Sequence, residues 1–462
     1  MEMNYSEARE YLKNVNKLGS ILGLNTIKEL LKRLGNPQNE LKVVHIAGTN
    51  GKGSIMTFVQ NILMESGYKV GRYCSPAVFN EREIIRINDE YISEEQSADL
   101  LTRIKEKCDS MYSEGLPHPT SFEIETAEAL MFFKEQNCDI ALIECGMGGE
   151  TDATNVFEKV ICSVIATISL DHTQFLGSTI EEITKVKSGI IKENCPVVMS
   201  KQTGEAENVI KQVCKQKNSE LIIPTEQDFE NVEIDGLTTK VTYKASNNKE
   251  YILNLQALGT YQIKNAKTAV EVALVLDKAL TEKTNICDES DKNNGTGMKN
   301  NINNSGNAIE KNIKKGIEKT VWPGRMEVIS KEPLIIIDGA HNPGAVLELR
   351  KTLDLYFTNK RITFIMGVLS DKDFSKEAEI IADRAERIIT ITPNNSRGLD
   401  GHKLAETLVK YNHNVQVADS LKQAAEESID TIKENRADMI LAFGSLSYLG
   451  ELKQVVRLVC NH

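Results

Sequence analysis

The sequence predicts an α/β protein, with a larger N-terminal domain on a mostly parallel sheet and a smaller C-terminal Rossmann-like α/β domain. Three observations carry this. Short apolar runs alternate with helical patterns along most of the chain, the signature of parallel strands covered by helices. The 462 residues exceed what one ordinary core fills. A stretch rich in asparagine, lysine and glycine then divides two such alternating regions.

Residues 6–34 read as helices packed ahead of the first strand. Leu41 to Leu63 follows as strand, glycine loop and helix. The run Val43, Val44, Ile46 ends in Gly48-Thr49-Asn50-Gly51-Lys52-Gly53-Ser54, and Ile55, Val59, Ile62 and Leu63 then share one helical face. Glycines let backbone N–H groups curl around phosphate oxygens, a helix N-terminus adds partial positive charge, and Lys52 adds a full one. The loop departs from the commoner phosphate loop in placing Gly53 between Lys52 and the hydroxyl of Ser54. It reads as a nucleoside triphosphate site, which makes the first domain a P-loop ATPase-type domain.

Tyr68 to Ser75 reads as a second strand, and Ala77 to Glu83 as a polar loop over the site. Helices near Glu94–Met111 and Phe122–Glu135 lead to the buried run Asp139 to Glu144, then Gly146-Met147-Gly148-Gly149. The strand Val160–Ile168 leads to Leu170-Asp171-His172. Ligands of parallel sheets sit beyond the carboxyl ends of the strands. Ser54, Ser75, Glu144 and His172 all follow predicted strands, so one crevice can collect them. A triphosphate brings a divalent cation, and magnesium takes a few oxygen ligands together with water and phosphate. Glu144 suits that role; His172, from position alone, reads equally as structural. Lys187 falls near the end of a helix that breaks at Gly189, where the helix dipole explains a cation as well as catalysis does.

Further on, Val197–Met199 and Leu221–Ile223 read as strands around a helix from Gly204 to Gln216. Val232–Leu255 is hairpin-like, with Asp235-Gly236 and Asn247-Asn248 turns. A helix carrying Asn265 in its first turn runs to about Leu280. Residues 284–320 are expected to be a flexible insertion or linker between domains at 1–283 and 321–462. The second domain contains Trp322-Pro323-Gly324-Arg325, then a buried strand into Asp338-Gly339-Ala340-His341-Asn342-Pro343. Strands at Ile362–Met366, Ile388–Thr392 and Met439–Phe443 follow, with Ser445 just past the last. It has no phosphate loop, so its polar strand ends serve another ligand or complete the first site.

The formal charge of −11 argues against a general nucleic-acid binder. No stretch reaches the roughly 18 apolar residues of a membrane span. The N-terminus lacks an apolar signal core, so a cytoplasmic protein is expected. Nine scattered cysteines without a CxxC pair suit buried reduced thiols.

Taken together and in order, these segments are similar to the folylpolyglutamate synthases, including the bifunctional dihydrofolate synthase form, within the Mur ligase superfamily. They are Gly48–Ser54, Ser75-Pro76 with Phe79-Asn80-Glu81-Arg82, Glu144 before Gly146–Gly149, Leu170-Asp171-His172, Lys187-Ser188-Gly189-Ile190, Trp322–Arg325 and Asp338–Pro343. The resemblance implies an ATP-dependent ligase that joins L-glutamate to a folate or to dihydropteroate through an acyl phosphate. ATP would lie on Gly48, Thr49, Asn50, Gly51, Lys52, Gly53 and Ser54, with Asn265, Arg325 and Asp338 as further contacts. Ser75, Glu144 and His172 would hold Mg2+, and a carbamylated Lys187 a second Mg2+. His341 and Ser445 match positions associated with glutamate, with His341 orienting the amine or its carboxylates, and Phe79 and Arg82 lie in a loop that covers folate. A monomer with small-molecule substrates is expected. Glu150-Thr151, Ser447, Cys74 and Ala77 depart from the commoner family residues. A cell-wall ligase of the same superfamily would carry an added N-terminal domain. A P-loop ATPase switch would hydrolyse ATP without consuming glutamate.

Overall fold

The computed structural model describes residues 2–16, 23–224, 232–290 and 308–460. Its first sheet contains β1 (Val43–Ala47), β2 (Val70–Tyr73), β3 (Ile85–Ile87), β4 (Glu90–Tyr91), β5 (Ile140–Glu144), β6 (Cys162–Ile165), β7 (Val197–Met199) and β8 (Leu221–Ile222). The order is β4-β3-β2-β5-β1-β6-β7-β8. β2, β5, β1, β6, β7 and β8 run parallel, and the antiparallel pairings are β2–β3 and the hairpin β3–β4 at one edge. That hairpin falls after the segment expected to be a loop, where a single turn at Glu81–Ile84 also forms. β1 and β5 are buried at every position. Both faces are covered by helices, which is why these strands read as continuous apolar runs and not as alternating ones.

The helices start where local chemistry allows. Ser93 with Gln96, Thr120 with Glu123 and Thr179 with Glu182 each form a reciprocal capping box. The region 232–255 is a three-stranded meander of β9 (Val232–Asp235), β10 (Thr238–Lys244) and β11 (Glu250–Leu255). The alternating burial of β11 packs Tyr251, Leu253 and Leu255 inward.

The second sheet contains β12 (Glu327–Lys331), β13 (Leu334–Ile337), β14 (Ile362–Met366), β15 (Arg387–Thr390), β16 (Val415–Val417) and β17 (Met439–Phe443), in the order β12-β13-β17-β14-β15-β16. All pairings but β12–β13 are parallel.

The stretch between the two sheets differs from expectation. Helix Thr260–Ser290 continues well past Leu280, and residues 308–318 form a second helix. Ile309, Ile313 and Ile317 are buried in the first domain's core, and Gly316 lies against the backbone of Ile62. Full burial of an aliphatic side chain contributes about 1.5–3 kcal/mol, so three of them dock this helix firmly. Residues 291–307, the centre of the expected insertion, lie outside the described residues.

Candidate active site

The phosphate loop connects β1 to helix Lys52–Glu65. Gly51 sits at the helix N-cap with φ +90, a left-handed conformation that glycine adopts at no steric cost. Thr49 and Asn50 both donate their backbone N–H to Thr167 O, at 2.8 and 3.0 Å, so the loop is pinned to the chain leaving β6. The Lys52 ammonium donates to Gly48 O at 3.2 Å and lies 3.6 Å from Glu144 Oε1. Glu144 reaches it because parallel pairing sets Glu144 beside Ile46 at the end of β1. The carboxylate is buried, and the Cys74 thiol donates to its Oε2.

Lys187 projects from its helix into this same corner and donates to Gly48 O at 3.0 Å. Two amines thus converge on one carbonyl. Burial, and then the nearby Lys52, pull the Lys187 ammonium down to about 8. A lysine serving only the helix dipole would stay in solvent with an ordinary value.

His172 begins the short helix Thr173–Leu176 with a left-handed backbone, φ 51, and is partly exposed. Burial draws its pKa below the usual value, while Asp171, with Oδ2 4.0 Å from Nε2, opposes. Ser75 is half-buried directly after β2. Among the described residues no three His, Cys, Asp or Glu side chains gather as a metal cluster. Beside nucleotides magnesium takes oxygen ligands, a carboxylate or two with phosphate and water; the Ser75 hydroxyl and Glu144 carboxylate match that, and the His172 imidazole is the unusual donor of the three. The donor set therefore fits a nucleotide-borne cation.

The second domain meets this corner directly. Asn342 caps helix Pro343–Tyr356 by accepting from Ala345 N at 2.9 Å. Its amide also pairs reciprocally with that of Asn50, both bonds 3.1 Å, and donates to Asp171 Oδ2 at 3.2 Å. Lys372, past the end of β14, donates to Asp171 Oδ1 at 2.7 Å. Burial alone would raise the Asp171 carboxyl, but Lys372 outweighs it and leaves the group at about 2. A cavity of about 570 Å³ opens beside this junction, lined by Leu170, His172, Phe175, Gly344 and Lys376 among others. A larger one, about 1000 Å³, lies by the amino ends of β1 and β7, remote from these groups.

His341 Nδ1 bonds to Gly339 O at 2.7 Å, which assigns the proton to Nδ1 and leaves Nε2 as an acceptor. Burial, with Lys372 nearby, lowers its pKa to about 4. Asp338 accepts from the Tyr261 hydroxyl (2.6 Å), Met326 N and Ala340 N, so its carboxylate braces the start of helix Thr260–Ser290 against the second domain. The Arg325 guanidinium lies directly against Gly339. Asn265 donates to Gln262 Oε1 at 3.0 Å, and its Oδ1 occupies the space a side chain on Gly51 would need. Ser445 is buried and bonded to Ser447 Oγ at 2.9 Å. In the loop beyond Ser75, Arg82 reaches Ile92 O, and Phe79 is exposed beneath the ammonium of Lys453, 5.2 Å from the ring centre.

Lys52, Glu144 and Lys187 therefore gather at one point, with Asn342 and Asp171 joining them to the second domain. Phe79 and Arg82 stand apart from that point, on the loop beyond Ser75. Sequence reasoning missed Lys372, whose only signal was its place after another strand. It also treated Cys74 as a mere departure from the family pattern.

A family model described as the Mur ligase middle domain matches residues 46–273, and the Mur ligase glutamate ligase domain matches 324–446. A Bacillus subtilis protein named dihydrofolate synthase/folylpolyglutamate synthase is 30% identical over 464 residues, covering 97% of this chain and 98% of its own. The crystal structure of folylpolyglutamate synthase from Thermotoga maritima is 32% identical, with TM-score 0.77, covering 98% of this chain and 96% of that one. A solved FPGS–AMPPCP–folate complex is 28% identical, with TM-score 0.81, covering 98% of this chain and 100% of that one.

Proposed function

Because this chain belongs to the folylpolyglutamate/dihydrofolate synthase family of Mur ligases, we propose that it uses ATP to join L-glutamate to a folate acceptor: a tetrahydrofolate being polyglutamylated, dihydropteroate, or both. The observation that carries the reading is the Asn50–Asn342 pair, which sets a phosphate loop against the Asp338–Pro343 segment of a glutamate-ligase domain. On this reading residues 1–283 hold ATP and 321–462 receive glutamate.

A carboxylate is a poor electrophile. The folate-side carboxylate attacks the γ-phosphorus of ATP, the bond to the bridging oxygen breaks, and an acyl phosphate and ADP form. Backbone amides of Gly51 to Ser54 hold the phosphates, those of Thr49 and Asn50 being engaged with Thr167 O, and Lys52 offsets charge on the transferring group. Glutamate's neutral α-amine then attacks the acyl carbon, phosphate leaves, and the amine's proton passes to solvent or base. His341 offers Nε2 as an acceptor that orients the attacking N–H; with a pKa of about 4 it is a poor proton store. Asn265, Arg325 and Asp338 complete the nucleotide side, Ser445 the glutamate side, and Phe79 and Arg82 the folate side. Closure of the two domains excludes water from the acyl phosphate.

Ser75, Glu144 and His172 would hold magnesium, which supplies charge neutralisation at the phosphate oxygens. A second site would come from Lys187: its neutral amine adds to carbon dioxide and loses a proton, and a cation becomes a carbamate anion. Burial favours this by making the neutral amine accessible near physiological pH. The reading includes a cytoplasmic monomer; among the described residues no helix is long and apolar enough to cross a membrane.

The deciding experiment offers dihydropteroate and tetrahydrofolate separately with ATP and glutamate, and follows products by mass spectrometry. A mass increase of one glutamyl unit on either acceptor is expected. ADP formation that never depends on glutamate would overturn the reading in favour of an ATPase switch.

A further inference from the structure

Trp322 lies in the segment that joins helix Ala308–Glu318 to β12, and its half-buried indole reaches back to the first domain. A Cβ placed on Gly53 would stand 2.8 Å from Trp322 Cζ2 and 3.4 Å from Cε2. Real Cβ atoms do not approach ring carbons so closely. Glycine is thus demanded at this position by an aromatic ring, which accounts for the glycine inserted between Lys52 and Ser54.

A cation also lies against the ring. The Arg72 guanidinium carbon lies over the indole, 4.9 Å from the centroid. Arg72 is 2% exposed; Nη1 donates to Gln60 Oε1 at 3.2 Å, and Nε has no hydrogen-bond partner. A buried guanidinium with an idle donor gains more than usual from a π face. Gln60 belongs to the helix that begins at Lys52, so Arg72 and Trp322 grip that helix at its middle and its first turn. Beyond Trp322 the chain turns at Gly324, whose N–H donates to Glu327 Oε2 at 2.9 Å, and delivers Arg325 to Gly339. One short, braced segment thus touches the phosphate loop at one end and the second domain at the other.

We propose that Trp322 is a positioning residue for the nucleotide: clamped between Arg72 and Gly53, its indole sets the phosphate loop relative to the second domain, so that triphosphate affinity depends on the seating of the Trp322–Arg325 segment. This rests on the phosphate-loop reading given above.

The test is equilibrium binding of AMPPCP with Mg2+ to the full chain, comparing the parent, Gly53→Ala, Trp322→Phe, Trp322→Leu and the double variants. Gly53→Ala is expected to lose tenfold or more in affinity, and each Trp322 variant several-fold. Shrinking the ring vacates the space the new methyl needs, so each double variant binds at least about threefold tighter than independent losses would allow. In turnover, the Trp322 variants raise KM for ATP and leave KM for glutamate unchanged, a split that loss of packing alone would not produce. Thermal melts identify any variant that fails to fold; two replacements of different shape keep the coupling measurable. Independent, multiplying losses in both doubles overturn the proposal while leaving the ligase reading intact. A parent that binds no AMPPCP overturns the phosphate-loop reading, and this proposal with it.

Discussion

The Lys372 ammonium lies 2.7 Å from Asp171 Oδ1, an ion pair between the two domains with each side chain 9% exposed. It stands next to His172 and shares Asp171 with Asn342, so the residue that precedes a proposed metal ligand is held by the opposite domain. The backbone beside that proposed ligand is thereby tied to the second domain.

Asp171 gives a stability signature. Its carboxyl sits at about 2 against an ordinary 3.8. A depressed carboxyl stabilises the folded protein above its unfolded pKa, and that contribution is lost as pH falls from about 4 towards 2. Asp171→Asn is therefore expected to be less stable than the parent near neutral pH by about 2 kcal/mol. The gap closes at the acid end. Denaturant melts of both proteins across pH check this; a gap independent of pH removes the ion pair as its cause.

Lys52→Ala and Glu144→Ala are each expected to lower glutamate-dependent ADP formation by about 10²-fold or more, since Lys52 offsets negative charge on the transferring phosphoryl group and Glu144 would hold the magnesium that does the same. A coupled assay with saturating folate acceptor measures it. Turnover near the parent's in either variant refutes the assignment.

Bicarbonate labelled with 13C is expected to give a carbamate resonance in the parent that Lys187→Arg lacks. The reactive species is the neutral amine, and its share grows as pH rises through about 8, so labelling increases from pH 7 towards pH 8.5 at fixed carbon dioxide. No resonance at any pH would leave Lys187 as a plain ammonium hydrogen-bonded to Gly48 O.

His341, at about 4, is neutral throughout the working range. The profile of kcat/KM for glutamate should accordingly show no His341 inflexion between pH 5 and 8. His341→Gln, which retains a hydrogen-bonding side chain, should outperform His341→Ala. An inflexion near 6.5 that disappears in His341→Gln would make it a conventional general base.

What could be read from the sequence was local. The run into Gly48–Ser54 carries its own strand, turn and helix start, and Glu144 announces itself by ending an apolar run. Register then did the rest, because parallel pairing puts Glu144 beside Ile46. Contacts made across long separations left no local trace: Lys372 with Asp171, Trp322 with Gly53, Tyr261 with Asp338. Helix Ala308–Glu318 was hidden for another reason. Its Ile309, Ile313 and Ile317 repeat at a helical i, i+4 spacing, but the asparagine-rich residues before them dominated the composition of any window.

Trp322 is the sole tryptophan in the chain. All indole emission from this molecule therefore originates at one seam, between a buried guanidinium and the first turn after the phosphate loop. On the proposed reading, AMPPCP binding is expected to change that emission, which ultraviolet excitation follows without a dye, a label or an engineered probe.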